Sequence, residues 1–266
     1  MKHNYLIAIL FMAFLTSCST SDDTATSEQP SENDYFPVAN ENFWVYDVNG
    51  EFSGRDSLYV ANDTTISNQS YKKFKTKELA NGFFSGSLSG NGVRKSGDKI
   101  LVSGSTNVAF LEGFPLDLAV TDFVIFKENA SDNEELGTFS GSFNYQYGEI
   151  PFTFSYTMKS VFQQSLASYT VPNHETYQDV KVVKVIVNLT IGGVASFQGL
   201  NIPFTLMEPQ NVVVATQYYA KNVGMVYSDT QINYELVDVS QLEDELPFPS
   251  TGSQNIKEYL VDSSAN

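Results

Sequence analysis

From Phe139 to Met158 the chain alternates with a period of two. Phe139, Gly141, Phe143, Tyr145 and Tyr147 are separated by smaller or polar residues, and after Gly148-Glu149 the pattern resumes as Ile150, Phe152, Phe154, Tyr156 and Met158. Strand side chains point to opposite faces in turn, so this spacing puts the aromatic rings on one side of an extended strand; a helix would scatter them around its axis. The glycine between the two runs marks a turn, and the segment reads as two long strands of one hairpin. Such an apolar face has to be covered by another sheet, a helix or a ligand.

The rest of the body follows suit. Val180, Val182, Val185, Val187 and Leu189 lie among further β-branched residues, which suit a pleated, half-buried surface. Shorter strands are predicted at 42–48, 58–60, 71–79 and 99–103, a hairpin at 211–219 and 223–227 around Ala220-Lys221-Asn222, and a strand at 231–239. Ile150-Pro151-Phe152-Thr153 recurs as Ile202-Pro203-Phe204-Thr205, each soon after a glycine. Proline donates no N–H, so both copies belong near the start of a strand or on an edge. The fold class is therefore all-β and mainly antiparallel: a twisted sheet curled as a half-barrel, or a sandwich, with room for a short helix.

The amino terminus carries an address. Lys2, an apolar run from Tyr5 to Leu15 and small residues thereafter make a secretory leader, too short to span a bilayer as a helix. Leu15-Thr16-Ser17-Cys18 resembles the lipobox of bacterial lipoproteins, which implies cleavage before Cys18 and lipid attachment to it. Residues 19–34 hold five acids, no base and no large apolar side chain, the composition of a tether. Within it, Ser21-Asp22-Asp23 looks like the acidic export signal of many Bacteroidetes lipoproteins. The opening Tyr35-Phe36-Pro37, Asn42-Phe43-Trp44-Val45-Tyr46, and the later Tyr218-Tyr219-Ala220-Lys221-Asn222-Val223-Gly224 resemble elements of uncharacterised lipoproteins of the same flavobacterial type, with Asn222 where glycine is usual. The organisation expected is a signal peptide at 1–17, a lipidated tether at 18–34, a β-rich domain at 35–240, and an acidic tail at 241–266 with a last strand near 256–261. The address implied is the outer membrane, lipid-anchored, at the cell surface or on the periplasmic face.

Charge and residue inventory narrow the chemistry. A formal net charge of −16, which becomes −17 when the leader takes Lys2 with it, repels nucleic acid. Cys18 is the single cysteine, so its lipidation leaves no thiol for disulfides, metal or nucleophilic catalysis. His174 begins a His-Glu-x-x-x sequence, but Gln178 stands where a second zinc ligand would be. Gly86-Ser87-Leu88-Ser89-Gly90 has leucine at the centre of what would be a hydrolase elbow. No catalytic set and no cofactor are expected. Lys73, Lys75 and Lys77 share one strand face; they suit either an anionic partner or an ordinary solvated surface.

The expectation is a non-catalytic envelope lipoprotein, held to the membrane through Cys18 and binding a hydrophobic small molecule or an outer-membrane protein. Phe143, Tyr145, Phe152, Phe154 and Phe204 are the candidate ligand-binding residues, against the alternative that they are ordinary core. A sheet curled around them would be similar to the lipoprotein-carrier fold of the bacterial envelope. The alternative function is a surface glycan-binding or glycan-processing lipoprotein, and Trp44 is the single tryptophan such a protein could stack on.

Overall fold

The computed structural model describes residues 34–51, 53–111, 114–148, 150–197, 199–237 and 249–264. The leader, the Leu15–Cys18 motif and the tether up to residue 33 lie outside them, as do residues 238–248. The strands are β1 (Phe43–Asn49), β2 (Gly54–Ile66), β3 (Gln69–Thr76), β4 (Gly92–Ser96), β5 (Lys99–Leu111), β6 (Phe114–Lys127), β7 (Glu135–Tyr147), β8 (Ile150–Thr170), β9 (Thr176–Phe197), β10 (Leu200–Ala220), β11 (Gly224–Glu235) and β12 (Thr251–Ser263), with one helix, α1 (Phe83–Leu88), between β3 and β4.

All twelve strands form one antiparallel sheet in the order β6-β5-β4-β3-β2-β1-β12-β11-β10-β9-β8-β7. Each strand pairs with its neighbour in sequence except β6 with β7, and one further pair is non-sequential. β12 lies between β1 and β11, joining the two ends of the chain. The sheet then begins and ends at β6 and β7, which curl towards each other and nearly close a barrel. The sheet thus reaches Ser263: the last strand expected near 256–261 is present as β12, longer than expected and hydrogen-bonded on both sides. Likewise β11 runs unbroken from Gly224 to Glu235, where two separate strands were predicted.

Apolar side chains turn into the curl. Along β8, Phe152, Phe154, Tyr156, Met158 and Phe162 are buried, whereas Thr153, Ser155 and Lys159 between them are exposed. The facing of β9 matches, with Val183, Val185, Val187, Leu189 and Ile191 inside and Lys184, Asn188 and Thr190 outside. A transmembrane barrel has the reverse pattern, an apolar band facing outward. α1 crosses the interior and buries Phe83, Phe84 and Leu88 against the sheet. Phe84 meets Tyr46 and Tyr219 edge-on, at 5.9 and 6.2 Å between ring centroids. Trp44 is buried too, stacked on Phe74 and donating its indole N–H to the Val223 carbonyl at 2.7 Å.

The seam between β6 and β7 is bridged by β8, one strand further in. The Tyr156 hydroxyl donates to the Ala119 carbonyl on β6 at 2.7 Å, and the Ser160 hydroxyl donates to the carbonyl of Val124. Both side chains cross β7 at glycines, because Tyr156 is paired with Gly141 and Ser160 with Gly137. A Cβ on Gly141 would stand 2.4 Å from the phenol oxygen. Gly141 therefore interrupts the aromatic row on β7 to let a ring from β8 pass. Replacing Tyr156 with Phe should cost about 1 kcal/mol in denaturant unfolding, the ordinary value of one hydrogen bond. Gly141→Val should cost distinctly more; equal stability of Gly141→Val and the natural chain would refute the seam assignment.

Candidate functional site

The five candidate aromatic residues come together on one inner surface. Phe143 pairs with Phe154 and Tyr145 with Phe152 across β7 and β8, while Gly193 on β9 pairs with both Phe152 and Phe204. The Phe143 and Phe154 rings stack at 4.8 Å, and Phe152 meets Phe204 edge-on at 6.0 Å. Gly193 makes the second contact possible, since a Cβ there would lie 2.5 Å from the Phe204 ring. The two Ile-Pro-Phe-Thr copies thus begin β8 and β10 at the same end of the sheet, flanking one glycine.

Their exposure is uneven. Phe152 and Phe154 are each 1% exposed and belong to the core, whereas Phe143, Tyr145 and Phe204 are half-buried at its margin. Beyond Phe204 the same face continues to Ile202, 48% exposed, and Leu200, 67% exposed. Deeper in the curl, packing leaves a void of about 10 Å³ beside Trp44, Phe74 and Phe84 and one of about 30 Å³ between α1, Phe123, Met158 and Gln217. These have room for a water or two. A typical ligand pocket is on the order of 300 Å³ or more. Among the described residues, the margin at the ends of β7 to β10 is where a row of apolar side chains runs out to solvent.

The second constellation is one the sequence reading missed. Glu258 on β12 is fully buried and accepts hydrogen bonds from the Phe84 N–H at 2.8 Å, the Ser85 N–H at 3.0 Å and the Ser85 hydroxyl at 2.9 Å. Asp56 on β2 takes the preceding turn, accepting from the Gly82 N–H at 2.8 Å and from both the backbone N–H and the side-chain amide of Asn81. The first N–H groups of a helix have no partner within it, and α1 starts at Gly82, which has no capping side chain. Two acids from the sheet do that work. Gly82 is required by the closeness of the approach: a Cβ would lie 2.1 Å from the Glu258 carboxylate. The signal was present in the alternation of Ile256, Glu258 and Leu260, which puts an acid on the inward face between two apolar residues.

The remaining candidates have structural surroundings. Of the basic cluster, Lys72 is paired with Asp63, Lys73 reaches the Gly90 carbonyl, Lys95 meets Asp34 at 2.5 Å and Arg94 holds Asp122 with two bonds of 2.8 and 2.9 Å. That fork, with a phenol bond from Tyr71, holds the Asp122 carboxyl below the usual range despite some burial. Lys75 and Lys77 are exposed. His174 lies in the β8–β9 turn with its ring over Tyr259 at 4.9 Å. Among the described residues no three of His, Cys, Asp and Glu are placed to hold a metal ion.

No protein-family model, curated protein or solved structure matches this chain. What it does has to be read from the two constellations themselves.

Burial pushes the Glu258 carboxyl up to about 7, three hydrogen bonds oppose the shift, and the neighbouring Asp56 adds to it. The phenols of Tyr46 and Tyr219 are the other titratable groups coupled to Glu258, and burial raises both well above their ordinary range. A carboxyl that binds its proton more tightly folded than unfolded adds stability below the unfolded pKa and loses it as the pH rises through the folded one. Each unit of difference is worth roughly 1.4 kcal/mol. The thermal midpoint should therefore fall between about pH 5 and pH 8, and Glu258→Gln should flatten that slope. An identical slope in the variant would show that another group titrates.

Proposed function

We propose that this chain is a lipid-anchored envelope protein of the outer membrane, held through Cys18, whose β body has a non-catalytic role. It binds an apolar molecule or partner at the margin of its curled sheet. The observation that carries the reading is the aromatic row of Phe143, Tyr145 and Phe204, which runs out of a filled core and ends in the exposed Ile202 and Leu200. An uncovered apolar surface on a strongly acidic chain has a use for its cover. The flavobacterial lipoprotein resemblance and the leader support the address. The glycan-binding alternative loses its platform, since Trp44 is buried and hydrogen-bonded.

Two measurements test this. Metabolic labelling with a radioactive fatty acid should mark the protein, and Cys18→Ala should abolish the label; a labelled Cys18→Ala protein would refute the anchor. Residues 19–266, purified without detergent, should yield a bound apolar molecule on extraction and mass spectrometry. Tyr145→Ala with Phe204→Ala should reduce its occupancy several-fold. An empty extract from folded protein would turn attention to apolar protein partners.

A further inference from the structure

The two hairpins that carry the aromatic margin are almost free of charge. Between Lys184 and Glu208 there is no Asp, Glu, Lys or Arg, and between Glu135 and Lys159 the single one is Glu149, in a chain of which 17% of residues are charged. The depletion covers both strand faces. Inward stand Phe143, Tyr145, Phe204, Ile202 and Leu200; outward stand Ser142, Asn144, Thr153, Ser155, Thr190 and Thr205, polar but uncharged.

That two-sidedness decides what kind of surface these hairpins meet. Docking against a protein removes charge from the contacting face and leaves the other face free to carry solvated lysines and glutamates. Entry into the margin of a bilayer lowers the dielectric around both faces at once, and the cost of a charge rises from about 0–1 kcal/mol near the interface to about 2–4 kcal/mol at the midplane. The backbone of such a tip must also bring its own hydrogen bonds. Here β7 and β8 are paired out to Tyr147 and Ile150, and β9 and β10 out to Phe197 and Leu200. Tyrosine and phenylalanine at the base of the tips are of the type that settles at a lipid–water interface.

Position adds a second argument. In an up-and-down sheet all odd-to-even turns lie at one end, so the β7–β8 and β9–β10 turns share an end. The chain enters the body at the opposite end, where Asp34 accepts a 2.6 Å bond from the Asn222 N–H in the β10–β11 turn. The tips thus lie at the end of the sheet away from Asp34.

We infer that the ends of the β7–β8 and β9–β10 hairpins are a lipid-contacting surface that inserts shallowly into the uncharged, zwitterionic face of a bilayer. This rests on the apolar-binding reading above and names the bilayer as what is bound. An acidic body whose β7–β8 and β9–β10 hairpin ends carry Glu149 as their single charged residue suits zwitterionic headgroups, because anionic ones repel it.

The test is flotation of residues 19–266, which contain the whole self-closing sheet, with phosphatidylcholine vesicles and with vesicles containing phosphatidylglycerol. The protein should float with phosphatidylcholine, and more weakly as anionic lipid is added. Leu200→Asn with Ile202→Asn should lower the partition coefficient roughly tenfold, about the loss of two partly buried side chains. These residues are exposed, so the variant keeps its fold. Val261→Asn, at an exposed position on β12, should leave flotation unchanged. Folded protein that fails to float with phosphatidylcholine, floats only with anionic vesicles, or is indifferent to the double substitution would overturn the inference. A bound apolar small molecule without flotation would overturn it while leaving the apolar-binding reading in place. Neither a molecule nor flotation would overturn it as well, leaving an apolar protein partner as the remaining form of that reading.

Discussion

Glu258 reaches from β12 into the curl and takes the first N–H groups of α1, and much of the interior depends on that bond set. Without a carboxylate there the start of a six-residue helix would bury amides with no partner, at a cost of about 1–3 kcal/mol for each. With it, α1 can cross the inside of the sheet and set Phe84 between Tyr46 and Tyr219. A sheet this strongly curled has an inner surface larger than its own side chains cover, and α1 fills the difference. The acid is costly to bury, and Asp56 makes it costlier, so the clasp trades stability for a fixed position of the plug.

The seam shows the same economy of means. β6 and β7 are joined by a short turn yet do not pair; β8 reaches over β7 at two glycines to bond the carbonyls of β6. Strand twist makes full closure of twelve strands demanding, and side-chain hydroxyls tolerate a wider gap than a backbone ladder does. Closure by side chains at the seam and by backbone at β1–β12 are thus two solutions to the edge problem on one sheet.

The β7–β8 hairpin and β9 were legible because their alternation is long and unbroken. β11 was split in the sequence reading because Ser228-Asp229-Thr230 looks like a turn, whereas Ser228 and Thr230 face inward, opposite Gln217 and Ala215. β6 escaped notice because Pro115, Asp117 and Asp122 break its pattern; Asp122 sits at φ 50°, held by Arg94 and Tyr71. Asn222, standing where glycine is usual in the lipoproteins it resembles, has φ 62°, the left-handed region that glycine enters freely. The candidate aromatics could be named from their period, but not their division into sealed Phe152 and Phe154 and half-open Phe143, Tyr145 and Phe204. Burial depends on which strands curl over them, and that is set by pairing between residues far apart in sequence.

The position of β12 bears on when this protein can fold. β1 to β6 and β7 to β11 are two meanders of local hairpins, each able to form as soon as it is made, because closing a short loop costs little entropy. By backbone pairing β12 alone unites them; it follows both meanders in the chain and pairs Trp44 with Ser263. It also brings Glu258, so the interior cannot be completed before the sheet is. Sheet and plug are therefore finished in a single docking event, and the two meanders stay apart in backbone pairing until the strand that follows them both slots between β1 and β11.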